Sequence, residues 1–260
     1  MKEPVVTARA IDVLRFSVGT LTAIPVKPPR SVDRKITVPG ILLAPLFVLP
    51  LGLAVGLVLW IGREAGLAPI AVAATAVGVL ALGSRAFHLD GLADTADALT
   101  CGYDPERSLE IMKRGDAGPA GASALVLVLG IQIGALASIQ SSPWGPLVAV
   151  VLVCVARGVA SVMSLRGVPA ARSSGLASTY ASTMSPAIVA GIWVVWIATM
   201  TGVLLLDDRP WWLGLVCAAG ALSVAAWLIR RAMRRLGGVA GDVYGAAVEI
   251  SLAVMLLLAS

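Results

Sequence analysis

Charge is scarce in this chain. Only 13% of its 260 residues are Asp, Glu, Lys or Arg, about half the share of an ordinary soluble domain. Histidine occurs once, at His88. The three cysteines, Cys101, Cys154 and Cys217, lie far apart with no CxxC or zinc spacing, which excludes the common metal-finger and dithiol motifs. Cys154 and Cys217 fall inside apolar runs and read as packing residues. Aromatic residues are few and none interleave with basic runs, so no nucleic-acid groove is expected. Arg9, Asp12 and Arg15 interrupt the apolar run that a signal peptide would need. Internal repeats of the kind many transporters carry are also missing.

What remains is strongly apolar. Hydrophobic residues make up 58% of the chain and the mean hydropathy is +0.91. That excess is too large for one globular core and fits several membrane spans of about 20 apolar residues each. The expectation is an all-α polytopic membrane bundle forming a single domain over 1–260. Residues 5–24, with Arg9, Asp12 and Arg15 on one face, read as an N-terminal amphipathic helix at the membrane surface. Seven spans are expected near 40–62, 67–87, 121–139, 146–165, 187–206, 211–229 and 243–259. Long connections near 88–120, 166–186 and 230–242 alternate with short ones. Arg63 and Arg209 lie in the short connections and Arg157 lies within a span. The other 17 of the 20 basic residues share the side of the N-terminus and the long connections. The positive-inside rule makes that side cytoplasmic and the protein a multi-pass component of the cell (inner) membrane.

The chemistry concentrates in HLDGLADTADAL, residues 88–99. Asp90, Asp94 and Asp97 follow i, i+4, i+7 spacing, which puts three carboxylates within about 60° of one another along about 10 Å of helix. Like charges so placed repel by about 4 kcal/mol per pair at 4 Å and intermediate dielectric, and a bound cation removes that repulsion. All-oxygen donors select a hard ion, and Mg²⁺ is the usual one when phosphates share its shell. Gly91 and Ala93 keep the adjoining surface small enough for a ligand to approach the backbone. A solvated charged helix face is the plain alternative. His88 can contact phosphate, relay a proton, join the metal shell, or be an interfacial residue.

Two further segments carry polar groups to span entrances. DPERSLEIMKR, 104–114, reads as a capped helix with Asp104 at the N-cap and Pro105 following. The turn GDAGPAG after it sets Lys113, Arg114 and Asp116 beside permissive backbone, an arrangement suited to phosphate. In 230–249, Arg230, Arg231, Arg234 and Arg235 precede Gly237, Gly238 and Gly241. Asp242 and Glu249 then lie seven apart on one face. Ionisable residues inside a span are functional by default, which singles out Glu249 and Arg157. Arg157 pairs with substrate phosphate or an acid, or forms a structural pair with Glu249.

FHLDGLADTADAL (87–99), RSLEIMK (107–113) and GGVAGDVYGAAVE (237–249) together resemble the cobalamin synthase family, the adenosylcobinamide-GDP ribazoletransferases. LTAIPV (21–26), the ARG at 156–158 and the SGL at 174–176 agree in order and spacing, so the resemblance spans nearly the whole chain. Three positions depart. Arg114-Gly115-Asp116 replaces the family's Asp-Ser-Arg run, Ala23 stands where an Arg is usual, and Ala240 stands where a polar residue usually precedes Gly-Asp.

The resemblance implies a membrane phosphotransferase joining α-ribazole, or its 5′-phosphate, to adenosylcobinamide-GDP. The products are adenosylcobalamin, or its 5′-phosphate, and GMP, a late step of nucleotide-loop assembly, with Mg²⁺ as cofactor. On that basis Asp90, Asp94 and Asp97 are the expected metal ligands, with Asp94, Asp242 and His88 catalytic and Asp242 or His88 taking the proton. Arg85, Lys113, Arg114, Arg157 and Arg234 are expected at phosphates, and Asp116, Gly241 and Glu249 complete the substrate-contacting set. Two other readings compete. A CDP-alcohol-type membrane phosphotransferase would place its acids in a longer DGxxAR-type pattern, and no AR follows Asp90-Gly91 at that spacing. A transporter would place acids near the bilayer midplane, whereas most acids here cluster at one interface.

Overall fold

The computed structural model describes residues 5–101, 104–112, 115 and 117–260. Its described residues form helices and turns with no named strand. The helices are α1 (Val5–Leu21), α2 (Arg34–Leu42), α3 (Ala44–Phe47), α4 (Leu49–Glu64), α5 (Pro69–Gly83), α6 (Phe87–Thr100) and α7 (Pro105–Ile111). They continue as α8 (Pro119–Ile139), α9 (Gly145–Met163), α10 (Ala177–Tyr180), α11 (Pro186–Leu206), α12 (Leu213–Leu236) and α13 (Gly241–Leu258). The all-α membrane bundle is therefore present, but the count of seven spans is not reproduced. Among the described residues, five helices (α8, α9, α11, α12 and α13) are long and apolar enough to cross a membrane, or six if α5 and α6 together make one broken span.

Proline breaks the first expected span. The run 40–62 is divided among the end of α2, the short α3 and α4, with Pro39 inside α2 and Pro45 and Pro50 opening α3 and α4. Proline has no N–H to continue the ladder and its ring blocks the preceding turn. The remaining 16-residue α4 is about 24 Å long, short of a hydrocarbon core of about 30 Å.

The second difference is an elbow. Helices α5 and α6 meet at 90°, so 88–100 is a packed helix rather than the start of a long connection. Arg85 and Ala86 make the bend with φ of 55° and 53°, a left-handed conformation that costs non-glycine residues roughly 1–2 kcal/mol each. Several contacts hold it. Ala86 N–H donates to Ala81 O at 2.7 Å and Ala23 N–H to Gly83 O at 2.6 Å. The Arg85 guanidinium donates to the Gly19 carbonyl near the end of α1.

Helix α1 ends at Leu21, and its polar stripe is tied down rather than left to solvent. Asp12 is buried, accepts from Arg30 N–H at 3.3 Å and pairs with Arg15 at 3.4 Å, while Arg9 donates to Lys35 O. Helix α12 runs on to Leu236, so the four arginines 230–235 stand on its last turns, not in a loop. Gly237, at φ 74°, closes that helix in the left-handed conformation that glycine adopts without strain.

Helix α9 is the central post, buried almost continuously from Val148 to Met163. Helices α8 and α11 instead turn apolar faces outward, with Val126 72% and Val194 65% exposed, as lipid contact allows. The two ends of the bundle differ. At one end Arg63 donates to Ser142 O at 2.7 Å, Ser142 bonds Asp207, and Arg209 reaches both Asp207 and Ser260. At the other end Val239 N–H donates to Pro169 O and Ala171 N–H to Val239 O, each at 2.9 Å. Arg172 bonds the Leu109 carbonyl there. The long connections thus converge on one end and the short turns on the other, as the alternating loop lengths predict.

Candidate active site

The acidic stripe is on α6, and its three carboxylates have three environments. Asp90 is exposed, Asp94 is 9% exposed, and Asp97 is half-buried. Asp97 accepts from Gly118 N–H at 2.7 Å through one oxygen and from Gly121 N–H at 2.9 Å through the other. Helix α8 has glycine at its N-cap and no side-chain cap of its own, so Asp97 caps it from a neighbouring helix. Such a cap contributes about 1 kcal/mol, with the helix dipole adding to it. The glycines make room for it: a Cβ on Gly118 or Gly121 would stand 2.5 or 2.4 Å from the Asp97 carboxylate.

Asp90 leads to α13. The backbones of α6 and α13 nearly touch where they cross. A Cβ on Gly91 would stand 2.7 Å from Asp242 O, and one on Gly245 would stand 3.0 Å from His88 O. The small residues of the motif therefore admit helices: Gly91 accepts α13, and Ala93 lies against Gly121 of α8. The crossing sets Asp90 and Asp242 close enough for their charges to interact, with Arg172 in range of Asp242.

Among the described residues no three His, Cys, Asp or Glu side chains converge into a ready-made metal cage. The donor set still suits Mg²⁺, which commonly takes only one or two carboxylates and completes its shell with water and substrate phosphates. Asp90 and Asp242 are all-oxygen donors at one crossing, and Asp94 follows Asp90 one turn later on α6. Asp97 is already committed to the α8 amides.

Deeper in the bundle lies a second polar group. Arg157, 1% exposed, places Nη2 3.8 Å from Glu249 Oε1, and His88 Nδ1 is 3.9 Å from the same oxygen. Gln132 donates to Glu249 Oε2 at 2.9 Å, and Arg157 Nη1 donates to Val153 O at 3.0 Å. The structure thus joins Arg157 to Glu249. Removing one partner of such a buried pair costs about 3–5 kcal/mol. Arg157 Nε and Nη2 and His88 Nδ1 have no hydrogen-bond partner among the described residues.

Arg157 and His88 also line a narrow, partly open cleft of about 60 Å³ between α1 and α2 on one side and α9 and α13 on the other. Tyr180 and Tyr244 meet edge-to-face on its wall, ring centroids 4.9 Å apart. Tyr244 donates to Met163 O at 3.1 Å and its oxygen lies 3.2 Å from Ser164 Oγ. Burial, then the neighbouring Tyr244 and Asp242, push the Tyr180 phenol above its ordinary range, so it stays a neutral hydroxyl.

Other expected residues fall elsewhere. Gly241 lines the cleft. Arg85 is exposed at the elbow and engaged with α1. Arg234 is exposed on the last turn of α12, whereas Arg235 beside it is buried. Lys113, Arg114 and Asp116 lie outside the described residues. None of Asp90, Asp94 and Asp97 is among the described residues lining the cleft. Arg172, Gln132, Tyr180 and the α1 residues Phe16, Ser17 and Thr20 went unnoticed in the sequence. Arg172 sits two residues before the SGL tripeptide, the one nearby signal. Gln132 is a lone amide in an apolar span.

Residues 13–260 match the sequence profile of the cobalamin-5-phosphate synthase family. The chain is 47% identical over 246 residues to the adenosylcobinamide-GDP ribazoletransferase of a Nocardioides species, covering 95% of this chain and 97% of that one. It is 33% identical to the enzyme of the same name from Frankia casuarinae, over 94% of this chain and 92% of the relative. With that from Bradyrhizobium diazoefficiens it shares 35% identity over 95% and 92%. No solved structure matches. With the profile running through both the α6 stripe and the α13 motif to the last residue, the chain belongs to the cobalamin-5-phosphate synthase family.

Proposed function

We propose that this membrane protein is an adenosylcobinamide-GDP ribazoletransferase, carrying out a late step of cobalamin assembly at the end of the bundle where the long connections meet. One observation carries the reading: two motifs about 150 residues apart in the chain are brought into backbone contact at Gly91 and Asp242, which sets Asp90 and Asp242 within range of each other's charge. The names of the relatives supply the substrates, adenosylcobinamide-GDP and ribazole. The acceptor is α-ribazole or its 5′-phosphate.

In the proposed reaction a ribose hydroxyl of the acceptor attacks the phosphorus attached to cobinamide. A new P–O bond forms, the bond from that phosphorus to the bridging oxygen breaks, and GMP leaves with the bridging oxygen. Mg²⁺ bound by Asp90 and Asp94, with Asp242 adjacent, would neutralise the diphosphate and stabilise the leaving charge. Asp242, at the first turn of α13 and beside the cleft-lining Gly241, accepts the hydroxyl proton. Arg172 offers positive charge next to Asp242. Asp97 positions α6 against α8 rather than touching substrate. The basic residues gathered on this end support, by the positive-inside rule, the proposal that it faces the cytoplasm from the inner membrane.

The direct test supplies purified protein in detergent with adenosylcobinamide-GDP, α-ribazole and Mg²⁺ and follows GMP by chromatography. GMP release that needs all three is expected. Folded protein that releases none under these conditions contradicts the proposal.

A further inference from the structure

The acids at the α6–α13 crossing deal with phosphate, but the cleft beside them is chemically different. Its wall carries Phe16, Phe87, Tyr180 and Tyr244, and its floor carries Arg157 and His88. Both floor residues are more than nine-tenths buried. Arg157 Nη2 and His88 Nδ1 share the Glu249 carboxylate at 3.8 and 3.9 Å without a hydrogen bond, and Arg157 Nε has no hydrogen-bond partner among the described residues; buried donors so placed call for a further partner.

From this geometry we infer that the cleft is the seat of the acceptor's base: a planar heteroaromatic ring lying among the aromatic side chains, with a ring nitrogen turned to the Arg157–His88 floor. The inference rests on the ribazoletransferase reading and adds a binding subsite to it. Aromatic walls suit a flat ring, and a guanidinium N–H donates to an sp² nitrogen. A lipid chain offers no acceptor for those donors. Guanine, the other base in the reaction, brings ring and exocyclic N–H donors that call for acceptors. The described lining has no carboxylate or amide side chain to meet them. Position agrees as well. Gly241 lines the cleft and no atom comes within 4 Å of where its Cβ would be. A ribose extending past it arrives beside Asp242, where the hydroxyl must lose its proton.

The test narrows the cleft with Thr20→Trp, from the α1 side, and measures two things on detergent-purified full-length protein. Equilibrium dialysis with α-ribazole alone reads the site without turnover, and steady-state assays give KM for each substrate. Wild type should bind α-ribazole, and the variant should lose that binding by at least about tenfold. The variant's KM for α-ribazole should rise to match, while KM for adenosylcobinamide-GDP stays within about twofold. Should Thr20→Trp not elute as wild type does, Leu176→Trp, at a 39% exposed position lining the same cleft, replaces it. Unchanged α-ribazole binding, or a rise confined to the KM for adenosylcobinamide-GDP, overturns the inference. An absence of GMP with intact, cleft-dependent α-ribazole binding instead counts against the proposed reaction and leaves the subsite standing.

Discussion

Gly91 of α6 lies against the backbone of Asp242 in α13, so closely that a single methyl group on Gly91 would stand 2.7 Å from the Asp242 carbonyl oxygen and 3.0 Å from its Cα. The contact is rigid because both sides are main chain, and no rotamer change relieves a clash there. Gly91→Ala must push α13 away. A loss of about 1–3 kcal/mol is expected from this overpacking, read as a lower melting temperature in detergent, together with loss of turnover as Asp242 moves from Asp90.

Asp97 separates from its neighbours on the stripe by the kind of loss it produces. Asp97→Ala should destabilise the protein by about 1–2 kcal/mol through the uncapped α8. Asp97→Asn keeps an oxygen acceptor and should retain part of that stability. Thermal unfolding of the pair checks the order. Equal stability of Asp97→Ala and wild type would remove the capping role.

The sequence made the stripe visible but not its division of labour. The i, i+4, i+7 spacing brings Asp90, Asp94 and Asp97 to one face of a real helix. That Asp97 is taken up by the amides of Gly118 and Gly121, more than twenty residues away, does not follow from that spacing. No local pattern records that pairing. Likewise Arg85 and Ala86 carry no turn signature, because their left-handed backbone is imposed by the packing of α1 against the elbow. The breaks at Pro45 and Pro50 were written in the chain, but the apolar run around them outweighed the prolines in a reading by hydropathy. The spans α8, α9, α11 and α13 lie within a few residues of expectation, since length and apolarity alone define them. The start of α12 was legible too. Its end was not, because a helix can project its arginines beyond an apolar core.

The buried pair of Arg157 and Glu249 should show non-additive behaviour. Arg157→Met leaves Glu249 with Gln132 and a buried charge, and Glu249→Gln leaves Arg157 uncompensated. Each should cost about 3–5 kcal/mol. The double variant should be more stable than the sum of the two predicts, because it removes both charges. Melting temperatures of the four proteins complete the cycle, and strict additivity would mean that the 3.8 Å approach carries no coupling.

The elbow offers a change in the opposite direction. Ala86 holds φ at 53°, and Ala86→Gly should stabilise the fold by about 0.5 kcal/mol, the relief of left-handed strain less the added freedom of the unfolded chain. A fall in melting temperature would show that the Ala86 methyl group contributes packing that outweighs its backbone strain.

The measurement that bears most directly on the site is GMP release by Asp90→Asn and Asp242→Asn, compared with wild type at equal folded concentration and saturating Mg²⁺. Both carboxylates stand at the α6–α13 crossing, and neither accepts a helix-capping pair of amides as Asp97 does. Turnover should fall by a factor of about 100 or more in each, with melting temperatures close to wild type. Wild-type release from both variants would contradict the assignment of the chemistry to that crossing.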